Sequence, residues 1–222
     1  NNKSLGTFGR FGTYSFYPSH QITSGEGGMI VCNDKKDYEI IHSLRAHGWD
    51  RGLNKKNNKG FNFINSGFNL RPMDLTASIG LSQLRKLNRF KNQRSINREK
   101  IIKKLLQSSK WNEQFSFIEP IKNLKPSWFG LPILLNKKYI LKKRRFLNYL
   151  NKHKIETRPI IAGNLARQPA NSLFKHRISG ELNNSDYIMD NGFSVGVHQS
   201  LSSDAINYVT GKIKEFIRLR VK

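Results

Sequence analysis

Short apolar runs alternate with helical patterns through the second half of the chain, and this alternation constrains the fold more than any other feature. The strands are predicted at 128–135, 155–160 and 193–197, and the helices at 137–153, near 184–191 and at 202–219. Ser202, with Asp204 two residues later, is a suitable N-cap for the last helix. Such alternation is typical of an α/β fold.

The first half of the chain carries turn, cap and helix signals of the same kind. Glycines at 25, 27 and 28 predict a turn, and the apolar run 29–32 that follows predicts a strand. Asn33-Asp34 is a pair suited to capping, so we predict a helix that runs to Ala46 and stops before Gly48.

A loop and a long helix are predicted next. Residues 50–59 are rich in Gly, Asn and Lys, which indicates a loop that could act as a lid, and 61–68 carry apolar residues on alternate positions. Apolar residues at helical spacing then predict one long helix from Met73 to Leu106. The pattern breaks after this helix, so we predict two domains, 1–108 and 109–222.

The chain is strongly basic, with 39 Lys and Arg against 15 Asp and Glu and a net charge of +24. Such a charge raises nucleic acid as a partner. The basic residues are scattered over helices, however, and no nucleic-acid-binding signature accompanies them. We therefore expect a solvated basic face or a phosphate-bearing small substrate, and no nucleic acid partner.

Cysteine and hydropathy patterns exclude several classes of protein. Cys32 is the single cysteine, so the sequence offers no internal disulfide and no cysteine cluster for zinc or an iron–sulfur centre. No run of about 18 apolar residues is present. The expectation is a soluble cytoplasmic protein without a bound metal or a membrane segment.

Residues 15–28, SFYPSHQITSGEGG, bring hydroxyl groups, one imidazole and a glycine turn together. With SLRAHGWDR, GFNLRPMDLTASIGLSQL and GVHQSLSSDAINYVTGKIKEF in this order, they resemble the DegT/DnrJ/EryC1/StrS sugar aminotransferase family of pyridoxal-phosphate fold type I, which is aspartate-aminotransferase-like. The resemblance implies that 1–108 form the C-terminal part of a large cofactor-binding domain and 109–222 a small C-terminal α/β domain. It also implies that the rest of the large domain precedes residue 1.

In that family the position held here by His20 is the lysine that forms a Schiff base with pyridoxal phosphate. Imidazole has no primary amine, so His20 cannot form that bond. With a histidine at this position, the chain resembles the 3-dehydratase branch of the family. The resemblance implies a coenzyme, pyridoxamine phosphate, that is not covalently bound, and a reaction that removes the C3 hydroxyl from a nucleotide-linked 4-keto-6-deoxy sugar. With an ordinary pKa near 6.5, imidazole is suited to the proton transfer this needs. The alternative for His20 is a structural histidine on a loop.

Two further residues resemble the family's phosphate ligands. Ser15 matches the serine whose hydroxyl holds the cofactor phosphate; from the residues alone, a serine that closes a strand turn is the alternative, and the resemblance favours the phosphate ligand. Asn69 matches an asparagine that reaches the phosphate from the partner subunit, which implies a homodimer with a shared active site. The resemblance also implies glutamate as the amino donor.

Several basic residues are candidates for the substrate. His47 and Arg51 follow the predicted helix end and would approach the sugar or its diphosphate, but His47 could instead interact with the helix dipole. Arg71 would neutralise a phosphate or form a structural ion pair. Arg158 is a candidate substrate contact, whereas His198 at a strand end is read as structural.

Two alternatives to the dehydratase remain. One is an ordinary pyridoxal-phosphate sugar aminotransferase that uses another amine, such as Lys3, Lys35 or an upstream lysine. The other is a non-catalytic relative or a basic nucleic-acid-binding protein. A related dehydrase branch with a [2Fe-2S] centre is excluded, because 52–62 contain no cysteine.

Overall fold

The computed structural model describes residues 3–53, 60–107, 115–136 and 143–219. Contacts divide the chain into unit 1, Asn1–Asn88, and unit 2, Arg89–Lys222. This division lies within a helix and precedes the predicted boundary at 108, so the two-domain assignment of 1–108 and 109–222 stays a prediction.

Unit 1 begins with an antiparallel pair of strands, β1 (Phe11–Ser15) and β2 (Gly28–Cys32), in which Phe11 pairs with Cys32 and Ser15 with Gly28. The strand predicted at 29–32 is confirmed as β2.

Helix α1 (Lys35–Leu44) follows β2 and begins at the predicted cap. The Asp34 carboxylate accepts hydrogen bonds from the backbone N–H groups of Lys36 (2.7 Å) and Asp37 (3.2 Å). These bonds satisfy donors that have no partner within the first turn of a helix. The helix ends two residues before the predicted end.

The helix predicted from Met73 to Leu106 is two helices, α2 (Asp74–Leu84) and α3 (Leu87–Leu106). The leucine spacing continues through the break at 85–86, which is why periodicity could not locate it. Residues 61–68 form no strand; within this range Phe63 forms one isolated bridge, with Trp49. Residues 54–59 of the predicted lid lie outside the described residues.

Unit 2 contains an antiparallel four-stranded sheet in the order β3-β4-β6-β5. The strands are β3 (Phe115–Phe117), β4 (Gly130–Leu135), β5 (Thr157–Arg158) and β6 (Gly192–Gly196). The helices are α4 (Lys143–Lys152), α5 (Asn183–Asn191) and α6 (Ser203–Leu219), and short 3-10 turns occur at Leu165–Arg167 and Pro169–Leu173. The three predicted strands are confirmed, with β5 shortened, and the α/β class holds.

The core of unit 2 lies against one face of this sheet. Leu131, Ile133 and Leu135 alternate with less buried residues along β4, as expected for a strand with one covered face. The Phe146 ring of α4 packs between Phe193 (centroids 5.6 Å apart) and Phe216 of α6 (4.9 Å). None of the described helices is long and apolar enough to cross a membrane.

Candidate active site

The loop between β1 and β2 carries the predicted catalytic residue, and backbone hydrogen bonds close the base of this loop. The Phe16 N–H donates to the Gly27 carbonyl (2.9 Å), and the Ser24 N–H donates to the Phe16 carbonyl (3.1 Å). The buried Ser24 hydroxyl donates to the Glu26 carbonyl (2.7 Å). Residues 17–23 are therefore held between two fixed ends.

His20 lies in a tight turn of this loop. Its backbone N–H donates to the Tyr17 carbonyl (3.0 Å), and its half-buried imidazole meets the Tyr17 ring edge-on with 6.0 Å between centroids. The nearest lysines along the chain are Lys3 and Lys35. The Lys3 ammonium lies 5.2 Å from the centroid of the Phe8 ring. The loop itself therefore offers an imidazole and no amine.

Ser15 ends β1 at the mouth of the same loop. Its exposed hydroxyl oxygen accepts a long hydrogen bond from the Tyr17 N–H (3.3 Å). Because this bond uses the oxygen as an acceptor, the hydroxyl proton can still be donated to a phosphate. The position is compatible with both predicted roles of Ser15.

The chain that leaves α1 pairs with the segment before α2, and this pairing brings His47 beside Asn69. Ala46 and Asn69 form an antiparallel bridge, and the His47 N–H donates to the Phe68 carbonyl (2.8 Å). His47 has a left-handed backbone, with φ of 62°. Two exposed polar side chains that are 22 residues apart in sequence thus lie on neighbouring backbone. Arg71, also exposed, follows two residues later.

Two glycines permit this pairing. Gly48 is left-handed (φ 85°), and a Cβ added there would lie 1.6 Å from the Asn65 carbonyl oxygen. A Cβ on Gly67 would lie 2.3 Å from the Gly48 nitrogen. Both distances are far below van der Waals contact, so backbone passes directly over backbone at this point.

Arg51 lies over an aromatic cluster that sequence reasoning missed. Its guanidinium is 5.0 Å from the centroid of the Trp49 ring, within the range of a cation–π contact. Trp49 in turn stacks on Phe61, with 4.7 Å between centroids and 27° between planes. The sequence feature that could have indicated this cluster is the aromatic pair Phe61 and Phe63, which follows Trp49 by twelve and fourteen residues. The cluster orients the Arg51 charge.

The buried Asp50 anchors the same segment. Its side chain accepts a hydrogen bond from the Asn62 amide (2.7 Å), and its N–H donates to the Asn62 carbonyl (3.1 Å). Asp50 is 1% exposed. This two-bond link holds the turn that carries Arg51 against the chain at 61–63.

In unit 2, Arg158 lies on the short strand β5. Its guanidinium Nε donates to the Glu156 carboxylate (2.6 Å), and both side chains are more than two-thirds exposed. Exposed ion pairs of this kind contribute about 0–1 kcal/mol to stability. The contact with Glu156 is therefore weak enough for Arg158 to bind a ligand anion instead.

The segment after β5 is fastened to α5 by a network that sequence reasoning missed. Arg167 donates two hydrogen bonds to the Asp186 carboxylate (3.0 and 2.8 Å), and the buried Asn164 amide donates a third (2.7 Å). Arg167 first, and Asn164 second, lower the pKa of Asp186 to about 2. Ile161, three residues before Asn164, has a left-handed backbone (φ 51°), which is rare for a β-branched residue.

His198 has the contacts of a structural residue, in keeping with its predicted role. Its carbonyl accepts a hydrogen bond from the Asn97 amide (2.8 Å), and its Nδ1 accepts one from the Ser200 N–H (3.2 Å). Burial first, and the Arg94 charge second, lower the pKa of His198. Arg94 is itself buried and donates to Gln199 (3.0 Å).

The predicted site residues of unit 1 form two groups along the chain. Ser15 and His20 lie on the β1–β2 loop, whereas His47, Arg51, Asn69 and Arg71 lie on the connection from α1 to α2. Helix α2 approaches the loop, since a Cβ on Gly80 would lie 3.7 Å from the Ser24 Cβ. Arg158 belongs to unit 2.

The residues present fit a phosphate-bearing coenzyme without a covalent tether. The hydroxyl of Ser15 and the amide of Asn69 are uncharged groups that can donate hydrogen bonds to a phosphate, and the β1–β2 loop offers the His20 imidazole and no amine for covalent attachment. Among the described residues, no group of His, Cys, Asp or Glu side chains could hold a metal ion.

Comparison with known proteins points to one family and to relatives within it. The family model described as the DegT/DnrJ/EryC1/StrS aminotransferase family matches residues 1–214. The chain is 35% identical over 226 residues to a GDP-4-keto-6-deoxy-D-mannose 3-dehydratase of Escherichia coli O55:H7, covering 96% of this chain and 57% of that protein.

Solved structures of such 3-dehydratases are also similar. The E. coli enzyme with bound hydrated PLP superimposes with a TM-score of 0.84 at 34% identity, over 96% of this chain and 56% of that one. A GDP-4-keto-6-deoxymannose-3-dehydratase with a trapped PLP-glutamate geminal diamine gives a TM-score of 0.83 at 33% identity, over 96% and 57%.

The chain thus spans little more than half the length of these relatives, although nearly all of it is matched. The family model extends over both units and includes every predicted site residue. The chain belongs to the DegT/DnrJ/EryC1/StrS aminotransferase family.

Proposed function

We propose that the complete protein is a pyridoxamine-phosphate-dependent 3-dehydratase, which removes the C3 hydroxyl of a nucleotide-linked 4-keto-6-deoxy sugar. One observation carries the proposal: His20 lies in the β1–β2 loop, and the sequence from residue 4 to residue 34, which includes this loop, contains no lysine. A Schiff base between coenzyme and loop is therefore chemically impossible, so a transaminase that tethers its coenzyme here is disfavoured. The 35% identity to a GDP-4-keto-6-deoxy-D-mannose 3-dehydratase supports the same substrate class.

In this proposal Ser15 and Asn69 hold the coenzyme phosphate through a hydroxyl and an amide. When bound, pyridoxamine phosphate would supply an amine for the sugar ketone and a ring that accepts electrons. The imidazole of His20 would take up a proton as general base and return it to the departing C3 hydroxide. The edge of Tyr17 limits how the imidazole can turn.

The basic side chains would bind the sugar nucleotide. Arg51, oriented by Trp49, and Arg71 would face the diphosphate, and His47 would approach the sugar. Arg158 is proposed as a further substrate contact. Guanidinium groups suit this role because they present paired donors to phosphate oxygens.

The proposal includes a homodimer with a shared active site, in which Asn69 serves the partner subunit. The exposed position of Asn69 supports this arrangement. Glutamate is proposed as the amino donor, supported by the PLP-glutamate adduct trapped in a related 3-dehydratase. We also propose that the protein works in the cytoplasm; the low cysteine content of these 222 residues, in which Cys32 is the one cysteine, supports a reducing compartment.

The test is to incubate the complete protein with pyridoxamine phosphate, glutamate and GDP-4-keto-6-deoxymannose. We expect a sugar product that has lost one oxygen atom, because the C3 hydroxyl is replaced by hydrogen while the C4 ketone is restored with release of ammonia. His20→Asn should abolish this product, and the control His198→Asn should retain it. A product that keeps its C3 hydroxyl and gains an amine at C4 would instead establish an aminotransferase.

A further inference from the structure

A groove in unit 2, which we call the α3 groove, runs along the C-terminal part of helix α3. Its volume is about 480 Å³, within the range of about 300–1,000 Å³ that is typical of small-molecule sites. Glu119, two residues after β3, lines one side. The remaining lining residues belong to α3 or directly follow it, and they are Arg98, Glu99, Ile102, Lys103, Leu106 and Gln107. These lining residues include none of the predicted site residues.

Arg98 brings a buried positive charge to this wall. The residue is 5% exposed, and its guanidinium lies 4.0 Å from the centroid of the Trp128 ring, within the range of a cation–π contact. Its Nη2 donates a hydrogen bond to the Ile118 carbonyl (2.6 Å). Among the described residues, its buried Nε has no hydrogen-bond partner. Because a buried charge is costly unless it is paired, this guanidinium can bind a further anion.

The acidic partner that Arg98 has in the described part of the chain is Glu119. The distance from Arg98 Nη2 to Glu119 Oε1 is 3.4 Å, which is longer than the ~2.7–2.9 Å of a strong charge-assisted hydrogen bond. The Glu119 side chain is 68% exposed, whereas that of Arg98 is 6% exposed. A carboxylate that lies mostly in water loses little when it leaves such a pair. Another carboxylate could therefore take its place.

The helical side of the α3 groove offers apolar surface beside this charge. Ile102 and Leu106 lie one helical turn apart, and both line the groove. Lys103 contributes an exposed positive charge and Glu99 an exposed negative charge. Without Glu119, the wall therefore carries two positive charges against one negative charge. A ligand that has one carboxylate and an apolar body is complementary to this combination.

We propose that the α3 groove binds a small organic carboxylate with an apolar body, and that the ligand's carboxylate replaces Glu119 beside Arg98. A guanidinium presents paired N–H donors that match the two oxygens of a carboxylate. The apolar body of the ligand covers Ile102 and Leu106. This site is formed by unit 2 alone, and the proposal does not rest on the proposed dehydratase reaction.

The experiment titrates the 222-residue chain with hexanoate and, separately, with its uncharged analogue hexanamide. Proton–nitrogen correlation NMR spectra follow the backbone signals of residues 98–107 and the side-chain Nε–H signal of Arg98. We expect hexanoate to shift these signals to saturation, with a dissociation constant of about 5 mM or lower. Hexanamide should bind about tenfold more weakly, because it has the same apolar body without the charge.

Two substitutions in the wall should change the affinity for hexanoate in opposite directions. Glu119→Gln removes the competing carboxylate and should strengthen binding by about threefold or more, whereas Lys103→Glu adds a negative charge and should weaken it by about threefold or more. Both side chains are exposed, so both variants should fold. Lys152→Glu on α4 is the matched control for Lys103→Glu. It makes the same charge change at an exposed position outside the groove and should leave the affinity within about twofold.

Three results would overturn the proposal. One is the absence of a saturable shift at residues 98–107, and another is equal affinity for hexanamide, because the apolar wall alone would then account for binding. The third is a loss of affinity in Lys152→Glu as large as that in Lys103→Glu, which would show attraction to the overall positive charge of the chain. An unchanged affinity in Glu119→Gln would equally contradict the replacement of Glu119 by the ligand.

Discussion

At the scale of single residues, the carboxylate of Asp186 offers a test of how the segment after β5 is held. Arg167 and Asn164 lower its pKa to about 2, so its contribution to stability is present above the ordinary value of 3.8 and is lost as the pH falls towards 2. Asp186→Asn should therefore lower the melting temperature at pH 6, and the difference from the parent should shrink between pH 4 and 2. Thermal unfolding followed by circular dichroism across this range measures both.

Glu181→Gln is the control for this prediction, because the Glu181 carboxylate accepts a hydrogen bond from Asn183 in an exposed position. A deficit in Asp186→Asn that persists unchanged down to pH 2 would show that the ion pair is not its cause.

Contacts between residues could be predicted from the sequence where the residues are close neighbours along the chain. The cap at Asp34 and the loop around His20 follow from neighbouring residue types. The three partners Asn164, Arg167 and Asp186 could not be found in this way, because 22 residues separate the first from the last and no pattern links them.

At the scale of elements, Phe146 joins α4 to the sheet and to α6. Its ring is 2% exposed and packs against the rings of Phe115, Phe193 and Phe216. Phe146→Ala should reduce the free energy of unfolding of unit 2 by about 3–5 kcal/mol, through lost contacts and the cavity left behind. Urea unfolding measures this, with the exposed Arg145→Ala as a control expected to change it by less than about 0.5 kcal/mol. A loss below about 1 kcal/mol for Phe146→Ala would mean that the core collapses into the space.

The periodicity of apolar residues predicted most helices and strands, but it missed a very short strand and a break between two helices. The strands of unit 2 and helix α6 follow from their apolar patterns, whereas β3 has three residues, too few to show alternation. The break between α2 and α3 has neither Gly nor Pro to mark it, and Leu81, Leu84 and Leu87 keep helical spacing across it.

At the scale of the whole molecule, the proposed homodimer with a shared active site leads us to expect complementation between inactive subunits. If Asn69 serves the neighbouring subunit, a dimer formed from His20→Asn and Asn69→Ala chains contains one intact site. An equal mixture that exchanges subunits should then recover about a quarter of the parental dehydratase activity at low coenzyme. No recovery, with subunit exchange verified by mass spectrometry, would place Asn69 in its own subunit's site.

Family membership and the α/β class were accessible from ordered motifs, since these need no knowledge of packing. The exposure of the large apolar side chains of α2 was not predictable, because helical spacing of apolar residues does not show whether they are buried.

The crossing of Gly48 and Gly67 has an evolutionary consequence. Most tight contacts in proteins can drift, since a larger group on one side can be answered by a smaller one on the other. Here neither position has a side chain left to give up, so no exchange between them can accommodate even a methyl group. A mutation at either glycine would have to move the chain that carries His47 and Asn69.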